Sequence, residues 1–141
     1  MTRAEIEGLS GRALDAAVAE QVMGLALCPN SDYYMATEVV PCPDGRDGCL
    51  VIHYGQVPRL VHRYSTTWPG LGLVVARLAS MVGDDGDHPD IVIEANGVRT
   101  MVTIGPIGSH LMTTTVDGPP DEAAPTAVAR VALLVAGATH A

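Results

Sequence analysis

The chain has 141 residues, a length typical of one soluble domain. Hydrophobic residues make up 48% and charged residues 17%, which is enough apolar material for a core and excludes a disordered chain. The net charge of −8 excludes the basic footprint that duplex nucleic acid requires, and the 15 glycines follow no triplet period, which excludes a collagen-like chain. All eight basic residues are arginine, and phenylalanine is absent.

Residues 3–9 and 13–25 are expected to be helical. In the second stretch Leu14, Ala17, Val18, Val22 and Leu25 form one apolar stripe, with Arg12, Asp15 and Glu20 on other faces. Ser10 is the candidate N-cap, and Gly24 weakens or ends the helix. Residues 28–48 carry Pro29, Pro41, Pro43, Gly45 and Gly48 and read as a long irregular loop, with Tyr33 and Tyr34 inside it and room for a short strand at 36–40. Residues 49–54 read as a strand buried on both faces.

Ser65, Thr66 or Thr67 caps the next helix. Pro69 suits its first turn, and Leu71, Val74, Val75, Leu78 and Met81 recur at helical spacing. Gly70 and Gly72 are expected to weaken that helix by about 1 kcal/mol each relative to alanine. After an acidic turn at 84–89, strands at 91–95 and 98–104 flank Asn96-Gly97, a strong hairpin signal. Along the second strand Val98, Thr100, Val102 and Ile104 share one side, while Arg99, Met101 and Thr103 share the other. A further strand is expected at 109–116. A final helix then begins at Asp121 or Ala124, with Pro125 in its first turn, and ends near Ala136. This order predicts a single α+β domain over 1–141, with a small, mainly antiparallel sheet.

Three cysteines at irregular spacing, Cys28, Cys42 and Cys49, make a poor disulfide framework and point to free thiols inside a cell. The first seven residues carry Glu5 and Glu7 and lack the apolar core of a signal peptide. The longest apolar run, 131–138, falls short of the roughly 18–20 residues that span a bilayer. The expected location is the cytoplasm, with no membrane partner.

Three stretches resemble the phage ABA sandwich domain family. Leu14-Asp15-Ala16-Ala17-Val18-Ala19-Glu20-Gln21-Val22-Met23-Gly24 resembles its "LDxxVAExVMG" opening, Tyr64-Ser65-Thr66 the "YST" before its central helix, and residues 124–134 its closing "APxAICRAALLA" helix. The resemblance implies a phage or prophage origin, hence a bacterial host cytoplasm, and a layered helix/sheet/helix sandwich. It carries no reaction with it. The chain departs from the family pattern after Tyr64-Ser65-Thr66, where Thr67-Trp68-Pro69-Gly70-Leu71-Gly72 stands in place of a polar-then-apolar helix, and the 28–48 loop has no counterpart.

The strongest candidate for chemistry is Arg59, His62, Arg63, Tyr64, Ser65, Thr66, Thr67 and Trp68. Two arginines and a histidine lead into hydroxyls at an expected helix N-terminus, whose free N–H groups and positive dipole end suit an anion. Arginine adds planar, bidentate donors for phosphate or carboxylate. The alternative is that the hydroxyls merely cap a helix and the arginines are solvated. Arg130 is the one charge between Glu122 and His140, in a helix apolar almost all round. Such a helix is expected to pack an extra face on another subunit, making a homo-oligomer, and a buried Arg130 needs a carboxylate such as Glu94 or a ligand anion.

Metal ligation by Cys28, Cys42, Cys49 and His53 lacks paired short spacings, and Asp84, Asp85, Asp87, His88 and Asp90 fit no calcium-loop register, so no metal or cofactor is expected. The hydrolase, Walker A, zincin and Rossmann signatures are missing. The leading expectation is therefore a phage-encoded binding protein for a small anionic ligand. The concrete version sequesters a phosphorylated nucleotide immune signal of the host, an anti-defence role, with Tyr33, Tyr34, Tyr64 and Trp68 stacking on a base and Arg59, Arg63 and Arg130 holding phosphates. The alternatives are an acidic interaction module that inhibits a host protein, and a small nucleotide-processing enzyme working through His62 or His53.

Overall fold

The computed structural model describes residues 1–27, 50–52, 59–81, 88–107 and 110–139. In chain order these form α1 (Arg3–Gly8), α2 (Gly11–Gln21), β1 (Ala26–Leu27), β2 (Leu50–Ile52), β3 (Arg59–Leu60), α3 (Trp68–Ala79), β4 (Asp90–Ala95), β5 (Arg99–Ile107), β6 (His110–Asp117) and α4 (Pro120–Thr139). The architecture is α+β, and the described residues form two antiparallel sheets: short strands in the order β1-β2-β3, and a longer meander, β4-β5-β6. The expected loop at 28–48, with Tyr33 and Tyr34, lies outside the described residues. So do Cys28, Cys42, Cys49, His53, Asp84, Asp85 and Asp87.

Helix α1 opens with a capping box. The Thr2 N–H donates to the Glu5 carboxylate and the Glu5 N–H returns to the Thr2 hydroxyl, which holds the Glu5 carboxyl below its usual range. In α2 the expected stripe is buried at Leu14, Val18 and Val22. Ser10 takes the N-cap position but its side chain makes no cap bond. The helix stops at Gln21, short of the expected residue 25, because the chain turns through Gly24 (φ 69°) and the Leu25 N–H returns to the Ala19 carbonyl (2.9 Å).

The centre of the molecule is α4. It packs against β5 and β6 and against α1, α2 and α3, and Ala124, Ala127, Val128, Ala129, Val131, Ala132 and Val135 have no exposed surface. On the faces of α4 turned away from the sheet, where a second subunit is expected to pack, α1, α2 and α3 of the same chain lie against the helix. The helix also starts earlier than expected. Pro120 occupies its first turn, which places Pro125 inside the helix.

In the meander, Thr100, Val102 and Ile104 of β5 are buried under α4, as the alternation predicts. Val98 departs from that pattern and stands 69% exposed because it belongs to the turn. The Asn96 N–H donates to the Arg99 carbonyl (3.0 Å), so Gly97 and Val98 are the central turn residues. The Asn96 side-chain oxygen fixes this register by accepting the N–H groups of Val98 (2.8 Å) and Arg99 (2.9 Å). Helix α4 sits over β5 and β6, and α3 reaches β4 only in part, so on the same face Ile91 is half-buried and Ile93 remains 39% exposed.

Candidate binding corner at residues 61–70

The corner is assembled from two residues of α2. Arg12 is 8% exposed and Asp15 is fully buried. Arg12 Nη1 donates to Asp15 Oδ2 (2.9 Å) and reaches the His62 carbonyl (3.5 Å), while Nη2 donates to the Val61 carbonyl (2.8 Å). The other Asp15 oxygen accepts the Ser65 N–H (2.8 Å) and the Ser65 hydroxyl (2.7 Å). From the far side, the Thr126 hydroxyl of α4 donates to the Ser65 carbonyl (2.9 Å). Taking an ion pair out of water costs several kcal/mol per ion, and hydrogen bonds to the remaining lone pairs and protons offset that cost. Here they do so at every polar atom of the pair except Arg12 Nε, which has no partner among the described residues.

The result is a segment whose main chain is held from both sides. Tyr64 between these contacts is a core residue with 1% exposure. Burial pushes its hydroxyl pKa up, and the nearby Asp15 charge adds to the shift. Gly70 explains itself here. A Cβ at that position would lie 2.1 Å from the Arg63 carbonyl oxygen, so only glycine lets the start of α3 pack against the segment. The helix propensity lost at Gly70 is the condition for that approach.

At the N-terminus of α3, the expected anion site, most polar groups are bonded within the chain. The Thr67 hydroxyl accepts the Gly70 N–H (3.1 Å) and donates to the Arg63 carbonyl (2.8 Å). The Leu71 N–H goes to the Thr67 carbonyl (2.9 Å), and Pro69 has no N–H. Among the described residues this leaves the Trp68 N–H as the one uncommitted donor of the first three helical residues. Ser65, Thr67 and Tyr64 therefore build the corner.

Four of the candidate residues face outward: His62, Arg63, Thr66 and Trp68, the last 50% exposed. The His62 ring meets the Tyr64 ring edge-on at 5.8 Å and 62°. Arg63 forms no ion pair among the described residues. The main chain of Arg59 lies in β3, and its side chain is outside the description. Arg130 is elsewhere. Its Nε and Nη2 donate to the Leu9 carbonyl (3.3 and 2.8 Å), so it ties the end of α1 to the central helix. The expected carboxylate partner, Glu94, is exposed on β4. Arg130 avoids a buried unpaired charge by bonding a helix-terminal carbonyl, for which a cation is also the favoured neighbour.

Two features were not singled out from the sequence. One is the Arg12–Asp15 pair itself, whose i, i+3 spacing on a helix was the available signal. The other is a shallow concavity of about 410 Å³ on the outer face of the meander, lined by Glu94, Ala95, Asn96, Arg99, Met101 and Thr115. Cross-strand register creates it: Met101 stands between Glu94 and Thr115. Arg99 Nε lies 3.6 Å from Asp117 beside it. Among the described residues no three metal-ligating side chains come together, and no helix is long and apolar enough to cross a membrane.

The three stretches 14–24, 64–66 and 124–134 meet at this corner, where Asp15, Ser65 and Thr126 form one hydrogen-bonded chain. No protein-family model, curated protein or solved structure matches this protein.

Proposed function

We propose that the protein is a non-catalytic binding protein that holds a small anionic ligand, of the phosphorylated nucleotide class, on the outward side of the 61–68 corner. One observation carries this reading. A buried ion pair and its hydrogen bonds fix the main chain of the segment, and that fixed frame presents a guanidinium, an imidazole, a hydroxyl and an indole to solvent. Side chains presented from a rigid frame bind with less ordering cost than side chains on a free loop. Arg63 supplies bidentate donors for phosphate, and Trp68 supplies a stacking face for a base.

A phage origin, an anti-defence role in the host cytoplasm and the layered helix/sheet/helix sandwich belong to the same proposal. The meeting of the three family-like stretches at one corner supports them. Calorimetric titration against cyclic and linear nucleotides tests the reading. Binding is expected in the wild type, with an affinity loss of about tenfold or more in Arg63→Ala and in Trp68→Ala, equivalent to about 1.4 kcal/mol each. A wild type that binds none of them at micromolar concentration overturns it. Recovery of unchanged nucleotide separates sequestration from turnover, in which product would form and vanish in His62→Ala.

A second reading, an acidic interaction module, is favoured by the concavity of the meander, where Glu94 lines an open surface beside the exposed Asp117. Capture of one host protein by the wild type, lost on Glu94→Arg, would support it in place of the first.

A further inference from the structure

We infer that β4 is a pairing edge for a second copy of this chain, joining two meanders into one continuous antiparallel sheet about a two-fold axis at Ile93. The argument begins with the direction of the main-chain groups. The turn closes on the pair Asn96 and Arg99, and antiparallel pairs alternate between hydrogen-bonded and non-hydrogen-bonded. Glu94 with Met101, Val92 with Thr103 and Asp90 with Gly105 are therefore the bonded pairs of the β4–β5 ladder. Ala95, Ile93 and Ile91 are the alternate residues, and their N–H and C=O groups point away from β5. Among the described residues nothing pairs with that side of β4.

The opposite edge of the sheet is guarded. The Gly118 N–H donates to the Val98 carbonyl (2.7 Å), and the same alternation turns the Thr113 carbonyl of β6 outward. The Arg3 guanidinium from α1 occupies that carbonyl (3.0 Å). Strand β4 has fewer protections among the described residues: its charges are Asp90 and Glu94, whose side chains stand on the face of the sheet away from α4. It carries no lysine, proline or bulge, and its Val92 and Ile93 are 47% and 39% exposed.

A second copy fits this edge in one register better than in its neighbours. A two-fold axis perpendicular to the sheet keeps the α4-facing side of both copies on one side. With the axis at Ile93, Ile93 faces the partner's Ile93, Ile91 faces the partner's Ala95 and Ala95 faces the partner's Ile91. These are the residues whose main chains point outward, so the seam closes about six hydrogen bonds, two from each facing pair. Glu94 then faces the partner's Val92, and no carboxylate faces another. With the axis at Val92, Asp90 would oppose the partner's Glu94, and the third bonded pair would fall on Pro89, which has no N–H. The Ile93 register also sets the exposed Ile93 of one copy against that of the other. A seam of two short strands is small by the standards of stable interfaces, so the expected behaviour is a reversible, concentration-dependent dimer.

Sedimentation equilibrium of the full chain from micromolar to millimolar concentration reads this directly. The wild type is expected to pass from monomer to dimer. Ile93→Lys, which loses two apolar contacts and sets like charges across the axis, raises the dissociation constant about tenfold or more. Leu111→Lys, an exposed position on β6, leaves it unchanged. A crosslinking pair keeps the test independent of any folding defect in Ile93→Lys. With Cys28, Cys42 and Cys49 replaced by serine, Ile93→Cys oxidises to a symmetric disulfide, since bonded antiparallel partners lie about 5.5 Å apart, within disulfide reach. Val92→Cys, which would face the partner's Glu94, crosslinks far more slowly. A monomer throughout the concentration range, a dimer indifferent to Ile93→Lys, or equal crosslinking at both positions would overturn the inference.

Discussion

The 61–70 corner and the strand β4 are both at the surface, and they are held in opposite ways. The corner is irregular main chain gripped by side chains: Arg12 and Asp15 from one helix, Thr126 from another, and the Gly70 contact behind it. Strand β4 is regular main chain that, among the described residues, is held along one edge only and is partly covered on its α4-facing side. Irregular backbone needs specific polar partners to have a unique place, whereas a strand takes its place from the ladder and keeps its other edge available. The corner is therefore specified by a few replaceable atoms, and β4 by a repeating pattern that tolerates change.

Breaking the corner at its centre gives the largest expected effect. Asp15→Ala removes the partner of a buried guanidinium and two acceptor contacts for Ser65. The expected loss is about 3–5 kcal/mol in chemical denaturation, enough to threaten folding of a domain this size. Gly70→Ala comes next. Its Cβ would meet main chain, which cannot rotate away, so the expected destabilisation is about 1–3 kcal/mol or more, read as a lowered Tm.

A smaller, pH-dependent effect comes from Tyr64. Its folded pKa lies above the unfolded value, so the folded state favours the protonated phenol. That contribution is fully present below the ordinary tyrosine pKa and is lost as pH rises through the raised value. Stability is expected to fall in the alkaline range. The Tyr64→Phe variant, compared with wild type by denaturation across pH, should show less of this loss. At the far end of the scale, Arg63→Ala and Trp68→Ala are expected to change stability by no more than about 0.5 kcal/mol, because neither side chain is committed to the fold. If either proves strongly destabilising, the corner's outward side is structural too, and the comparison fails.

Much of the regular structure was legible in the sequence, because periodicity reports which face is covered. The Leu14, Val18, Val22 stripe and the Thr100, Val102, Ile104 alternation both predict the buried side correctly. The corner was legible as a location and less so as chemistry. Ser65 to Thr67 read from the sequence as hydroxyls at a helix start. Whether such hydroxyls serve a ligand or the chain depends on what lies behind them, and that partner, Asp15, is fifty residues away. Arg130 reads as a charge needing relief, but its acceptor is the main-chain carbonyl of Leu9, a group that every residue carries and no pattern announces. The all-round apolarity between Glu122 and Ala136 predicts burial on several sides, and the helix is buried there. Its covering by the chain's own helices depends on topology, which periodicity does not contain.

The position of α4 in the chain bears on how the protein comes into being. The element that touches both the meander and the three other helices is the last of the described elements to leave the ribosome. Until residues beyond Pro120 emerge, the sheet and the helices share little surface beyond the contact of α3 with β4 and the bond from Arg3 to the Thr113 carbonyl. Contacts that bring α1 and α2 to α4 span more than a hundred residues, as Arg130 with Leu9 illustrates, and such long-range closure slows folding. Most of the contacts that join the helices to the meander thus wait for the arrival of an alanine-rich helix.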